Sequence, residues 1–84
     1  MKIFPNPSHG DHFNVSFSNL GNRKSVLLVL VNMLGETVYS EVIISDDNGS
    51  VVVEVVPPSH LPAGIYTVTG STDNKLYNQR LIVK

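Results

Sequence analysis

The sequence predicts an all-β chain, a small Greek-key β-sandwich of about seven antiparallel strands. Three observations lead there. Val is the most frequent residue, Ile, Thr, Tyr and Phe add further strand formers, and a single Ala stands in the whole chain. Such side chains suit a pleated, half-buried surface, and no segment of helical length carries a 3.6-residue period. Clusters of Gly, Pro, Asn, Asp and Ser recur about every 8–12 residues, the spacing of short strands joined by tight turns. With 84 residues the chain forms one domain, residues 1–84.

The elements follow in order. Ile3-Phe4-Pro5-Asn6-Pro7 is an extended lead-in, because each proline fixes its own φ and disfavours helical geometry in its predecessor. Ile3-Phe4 is the seventh, shortest strand. Ser8-His9-Gly10 turns the chain. From His12 to Ser18 the pattern alternates, with Phe13, Val15 and Phe17 facing inward and Asn14, Ser16 and Ser18 outward. Asn19 to Lys24 is a polar loop. Val26 to Val31 is apolar at every position, so both of its faces are covered or its second face meets a partner. Asn32-Met33-Leu34-Gly35 suits a type I turn, with Asn first and Gly fourth. Glu36 to Ile44 returns as the hairpin partner. Simple alternation places Val38, Val42 and Ile44 on one face and leaves Tyr39 exposed on the other.

Ser45 to Gly49 is a loop ending in an Asn-Gly turn signal, and Ser50 to Val56 is the next strand. Pro57-Pro58-Ser59-His60 stops it. Leu61-Pro62-Ala63-Gly64-Ile65-Tyr66 then enters another strand through a Pro/Gly corner. A Tyr in that place predicts a tyrosine corner, its hydroxyl bonded to the backbone near Leu61 or Pro62. This corner favours an immunoglobulin-like or fibronectin-like sandwich over a meander. Ser71 to Asn74 make the last turn, and Lys75 to Val83 is the final strand.

Composition narrows the function. A net charge of −1 with six Lys and Arg gives no electrostatic footprint for nucleic acid. No apolar run approaches the roughly 20 residues of a spanning helix. No signal-peptide pattern opens the chain. The absence of Cys removes disulfides and thiolate metal sites. A domain this small has a thin stability margin.

Few residues suggest chemistry. His9, Asp11 and His12 are metal-ligand types, but they span a Gly turn and lack a further His or Cys nearby. Asp46-Asp47-Asn48-Gly49 resembles a piece of a calcium loop, yet Val52 and Val53 stand where further ligands would be needed. The bland reading of both is turn chemistry, so the expectation is no metal and no cofactor. No G-x-S-x-G elbow occurs, and Ser59 and His60 are adjacent on an extended chain and point apart. The expectation is therefore no catalytic residues and no enzyme. Asn14-Val15-Ser16 and Asn48-Gly49-Ser50 match the glycosylation tripeptide, a pattern that arises often by chance. Most aromatics fit the inward alternation and read as core rather than as a sugar platform.

Four motifs then stand in a fixed order: Pro5-Asn6-Pro7-Ser8-x-Gly10; Val31-Asn32-Met33-Leu34-Gly35-Glu36-Thr37-Val38-Tyr39; Leu61-Pro62-Ala63-Gly64-Ile65-Tyr66; and Arg80-Leu81-Ile82-Val83-Lys84. Together they resemble the type A C-terminal sorting domain of the Bacteroidetes type IX secretion system, over nearly the whole chain. The resemblance implies a C-terminal piece of a larger exported precursor. It implies passage of an N-terminal passenger through the periplasm and outer membrane to the cell surface, removal of the domain by a surface sortase, and attachment of the passenger there. The expected partners are the secretion machinery, the sortase and the passenger. Arg80 to Lys84 would be the sorting signal. Pro5, Asn6, Pro7, Gly10, Asn32, Gly35, Leu61, Pro62, Gly64 and Tyr66 would be structural motif residues. Two departures stand out: Asn78-Gln79-Arg80 replaces the lysine-rich segment common before the final apolar triplet, and Pro57-Pro58 replaces a short polar stretch.

The residues add two expectations about recognition. An edge position would leave the last strand's backbone groups free to pair with a receptor strand, with Asn78, Arg80 and Lys84 facing that partner. If Val26, Leu28 and Leu30 face the core, as the register of the resembled family implies, Leu27, Val29 and Val31 form an outward contact stripe for the passenger, the machinery or a second copy. The competing reading is an immunoglobulin-like accessory module that binds carbohydrate or protein, since fold alone does not fix function.

Overall fold

The computed structural model describes residues 1–84. Its strands are β1 (Lys2–Phe4), β2 (Phe13–Phe17), β3 (Ser25–Val31), β4 (Thr37–Ile44), β5 (Val51–Val55), β6 (Gly64–Ser71) and β7 (Leu76–Val83). They form a three-stranded sheet, β1-β2-β5, and a four-stranded sheet, β4-β3-β6-β7. Every strand pair within the sheets is antiparallel. The chain crosses between sheets after β2, β4 and β5, so β5 lies beside β2 and β6 beside β3. This is the crossed connectivity of a Greek-key sandwich, and the short lead-in at Ile3-Phe4 is a true strand.

The core consists of fourteen buried hydrophobic residues drawn from both inner faces. Phe13, Val15 and Phe17 of β2 meet Val26, Leu28 and Leu30 of β3, Val68 of β6 and Leu81 of β7. Period-two alternation produces this directly. Phe17 needs space on the opposite sheet, and Gly70 of β6 supplies it: a Cβ there would lie 2.7 Å from the Phe17 ring. The same ring meets Tyr77 edge-on, with centroids 5.6 Å apart. Phe4 departs from the inward pattern and is 42% exposed on the outer face of β1.

β4 corrects the sequence reading. Val31 pairs with Thr37, but Leu30 pairs with Tyr39, which leaves Val38 as an extra residue in a bulge. One inserted residue reverses the phase of everything after it. Tyr39, Glu41 and Ile43 therefore oppose Leu30, Leu28 and Val26 on the inner face. Val42 and Ile44, expected to share a face with Val38, point outward and are 64% and 58% exposed.

The tyrosine corner is present. The Tyr66 hydroxyl donates to the Pro62 carbonyl at 2.6 Å, and the ring is buried. The bond fixes the chain where it passes from the Pro57–Leu61 loop into β6. Tyr66→Phe removes this bond alone and is expected to cost about 0.5–1.5 kcal/mol. Tyr66→Ala also empties core volume and should cost about 3–5 kcal/mol. Urea denaturation measures both, and a Phe variant as stable as the parent would refute the role of the hydroxyl.

Candidate functional site

The last strand shows how the site is built. Alternation divides Arg80 to Lys84 into two sets. Leu81 and Val83 are buried in the core, whereas Arg80, Ile82 and Lys84 are exposed. β7 lies at a sheet edge. Its backbone groups over these residues are nevertheless not free. The Asn6 side-chain amide donates to the Arg80 carbonyl at 2.8 Å, and its oxygen accepts the Ile82 N–H at 3.0 Å. The Ser8 N–H donates to the Ile82 carbonyl at 2.8 Å, and the Lys84 N–H donates to the Ser8 carbonyl at 2.9 Å. Ser8 thus forms a parallel bridge with Val83.

The residue types explain this strap. A carboxamide carries one acceptor and one donor side by side, as a peptide group does, so Asn6 stands in for a strand residue. Pro5 and Pro7 flank it and bring no N–H to the edge. Asn78 precedes the strapped segment and is exposed. The strap therefore limits receptor pairing over residues 80–84, because the Arg80 and Ile82 carbonyls and the Ile82 and Lys84 N–H groups already have partners.

The other motifs close around the same end. Ser8 is buried; its hydroxyl donates to the His12 carbonyl at 3.0 Å and accepts the Gly10 N–H at 3.1 Å. The Gly10 carbonyl accepts the Leu61 N–H at 2.9 Å. Gly10 has φ +90°, and a Cβ on it would lie 2.6 Å from the Leu61 carbonyl oxygen and 3.0 Å from Val83. Gly64 pairs with Val83, and Tyr66 with Leu81. In the 32–35 turn the Asn32 side-chain oxygen accepts the N–H groups of Leu34 and Glu36, and the Gly35 N–H donates to the Asn32 carbonyl. Asn32, Met33 and Leu34 line a shallow depression of about 240 Å³ with Pro62, Gly64, Ile65 and Tyr66. All four motif segments, scattered along the sequence, thus meet at one end of the sandwich.

That end carries an apolar patch. Met33 and Leu34 are 75% and 84% exposed at the turn tip, and Ile65 and Ile82 pair across β6 and β7 at 40% exposure each. Arg80 and Lys84 flank it on β7. The sequence reading found Ile82, Arg80 and Lys84 but missed Met33, Leu34 and Ile65. The available signal was two large apolar residues at the centre of a turn, where polar residues are the rule.

Leu27, Val29 and Val31 lie on the outward side of β3. Leu27 is 44% exposed, and the other two are half-buried. Leu27 pairs with Val42 and Ser25 with Ile44, so the outward phase of β4 widens the stripe. The metal-type residues serve other partners. Asp11 accepts the His12 N–H at 2.9 Å and lies 3.4 Å from Nδ1 of the His12 ring. The Asp11 and His12 backbone amides hold the Asp11 carboxyl below the usual carboxylate value. Asp46 accepts the N–H groups of Asn48 and Ser50, and Asp47 pairs with Arg23 at 2.9 Å. His9 is exposed and its neighbour Ser8 is not.

Two outcomes test this construction. Gly10→Ala is expected to combine left-handed strain of about 1–2 kcal/mol with crowding of about 1–3 kcal/mol. Gly35→Ala should show strain alone, since nothing lies within 4 Å of its Cβ position. Equal losses of stability in denaturation would contradict the close approach at Gly10. In amide hydrogen exchange, Asn6→Ala should expose Ile82 and leave Leu28 protected; unchanged protection of Ile82 would refute the strap.

Comparison with known proteins agrees with the geometry. No curated protein matches the chain. The family model of the secretion system C-terminal sorting domain matches residues 2–84. With its four motifs gathered at one end of a seven-stranded sandwich, the chain belongs to the C-terminal sorting domains of the type IX secretion system.

Proposed function

We propose that the type IX machinery reads the exposed members of the last strand, Arg80, Ile82 and Lys84, together with the apolar patch of Met33, Leu34 and Ile65. The family is a sorting signal for export across the outer membrane to the cell surface, which implies contact with the secretion machinery. The observation carrying the finer reading is the convergence of the four motif segments on one end, which presents two cations beside uncovered apolar side chains. Leu81 and Val83 support the signal from the core. A passenger precedes β1 in this scheme. A surface sortase then removes the domain, and the passenger is attached at the surface. The outward stripe of Leu27, Val29, Val31, Val42 and Ile44 is a second contact surface in the same transit.

The test fuses a folded fluorescent passenger to residues 1–84 in a type IX host. Arg80→Ala with Ile82→Ser and Lys84→Ala should leave the passenger in the periplasm while the purified domain keeps its melting temperature. Normal export of this variant would sink the reading. Mass spectrometry of surface passenger from the parent fusion should find the domain gone; an intact domain would rule out removal.

A further inference from the structure

The two lateral sides of the sandwich are unequal. On β2 and β3 the inward side chains, such as Phe17 and Leu28, are at most 3% exposed. One strand further over, Val55 of β5 and Ile43 of β4 are buried, but inward Val51 and Val53 on β5 and Tyr39 and Glu41 on β4 are only half-buried. Strand count is the cause. The strap holds the β1 side against β7, and the Phe17 ring of β2 rests on Gly70 of β6. Continuing the strand order places β5 across from β3 and leaves β4 with no strand opposite it. The smaller sheet is one strand short.

We propose that this vacancy, beside β5 and across from the inner face of β4, receives one extended strand from a partner chain, carrying a Lys or Arg at an inward position to meet Glu41.

The free edge selects the kind of occupant. Sheet edges are normally defended by shortness, bulges, inward charges, Pro or a covering segment. The β7 edge has the strap over Arg80 to Lys84. β1 has three residues and stops before Pro5. β4 has its bulge and inward Glu41. β5 has none of these: its five residues are Val51-Val52-Val53-Glu54-Val55, in unbroken register with β2. Alternate residues of an edge strand direct N–H and C=O away from their only neighbour, and another strand complements them best. A second folded copy does not fit. Joining β5 to its counterpart would bring two four-stranded sheets beneath six strands and force their β4 strands into the same space. A lone strand needs only about 4.8 Å of width and fills the step between the sheets.

Charge selects its sequence. One Glu41 oxygen accepts the Tyr39 hydroxyl at 2.8 Å, and no cation pairs with the carboxylate. Burial of the phenol, with Glu41 beside it, pushes the Tyr39 pKa up, so the phenol stays a donor. An inward Lys or Arg on the incoming strand would neutralise the half-buried carboxylate, and β-branched residues would cover Val51 and Val53. This surface lies apart from the motif end, so it stands or falls independently of the reading of Arg80, Ile82 and Lys84.

The probe is an acetylated, amidated heptapeptide of alternating Thr and Val with one Val replaced by Lys, titrated into the isotopically labelled 84-residue chain. Amide shifts and added exchange protection should localise to β5. A peptide with Glu in place of Lys should bind roughly two- to five-fold more weakly, the scale of a cross-strand charge pair. Glu41→Lys should invert that preference. N-methylation of alternate peptide bonds should abolish binding. The proposal is overturned if the peptide leaves β5 unperturbed, if it pairs with β1 or β7 instead, if N-methylation makes no difference, or if Glu41→Lys leaves the charge preference unchanged.

Discussion

The pairing of Asn6 with the backbone of β7 is the contact on which the rest of this sandwich depends. A chain this small has one thin core and four sheet edges, and it must keep its layers together without disulfides. The Asn6 carboxamide and the Ser8 peptide group cover the Arg80–Lys84 end of the β7 edge. They also draw β1 over the inner face of β7, where Ile3, Leu81 and Val83 are buried. Gly10 and Leu61 continue the seam to the β6 corner. The motif residues therefore act through geometry: they fix where the last strand lies and which of its side chains show.

Most of the fold was legible because alternation is a local signal. Spacing alone assigns Phe13, Val15 and Phe17 to the core, and Tyr66 announces its own hydrogen bond, whereas Val26 to Val31, apolar throughout, leaves its inward set open until Val26, Leu28 and Leu30 are seen buried. β4 was misread because a bulge is invisible to simple alternation; Val38 looks like any inward Val until Leu30 is seen to pair with Tyr39. The strap escaped notice for another reason. Asn6 lies 74 and 76 residues from the groups it binds, and nothing in a Pro-Asn-Pro sequence states which distant edge its amide will meet. The candidate signal was half legible in the same way. Its composition was plain, but the division into buried Leu81 and Val83 and exposed Arg80, Ile82 and Lys84 needed the sheet.

The closed and open sides divide the molecule's tasks. One side is partly closed by the chain itself, which covers backbone groups of Arg80 to Lys84 and leaves their outward side chains in view. The other ends in the unprotected β5 and in a polar pair, Tyr39 and Glu41, set just inside the sandwich. The outer face of the larger sheet adds a broad, nearly uncharged surface in which Thr and Ser alternate with Leu27, Val42 and Ile44. A sorting domain that meets a secretion machine can use such unlike surfaces separately.

The direction of the strap has a mechanical meaning. Ser8 and Val83 are bridged in parallel, so β1 and β7 run the same way and their chain ends leave from opposite ends of the molecule. Traction between Met1 and Lys84 would pull the two segments past each other along their common axis. The four hydrogen bonds of the strap would then bear the load together instead of opening one by one like a zipper. A small domain is in this way braced along one axis, the axis that joins its first strand to its last.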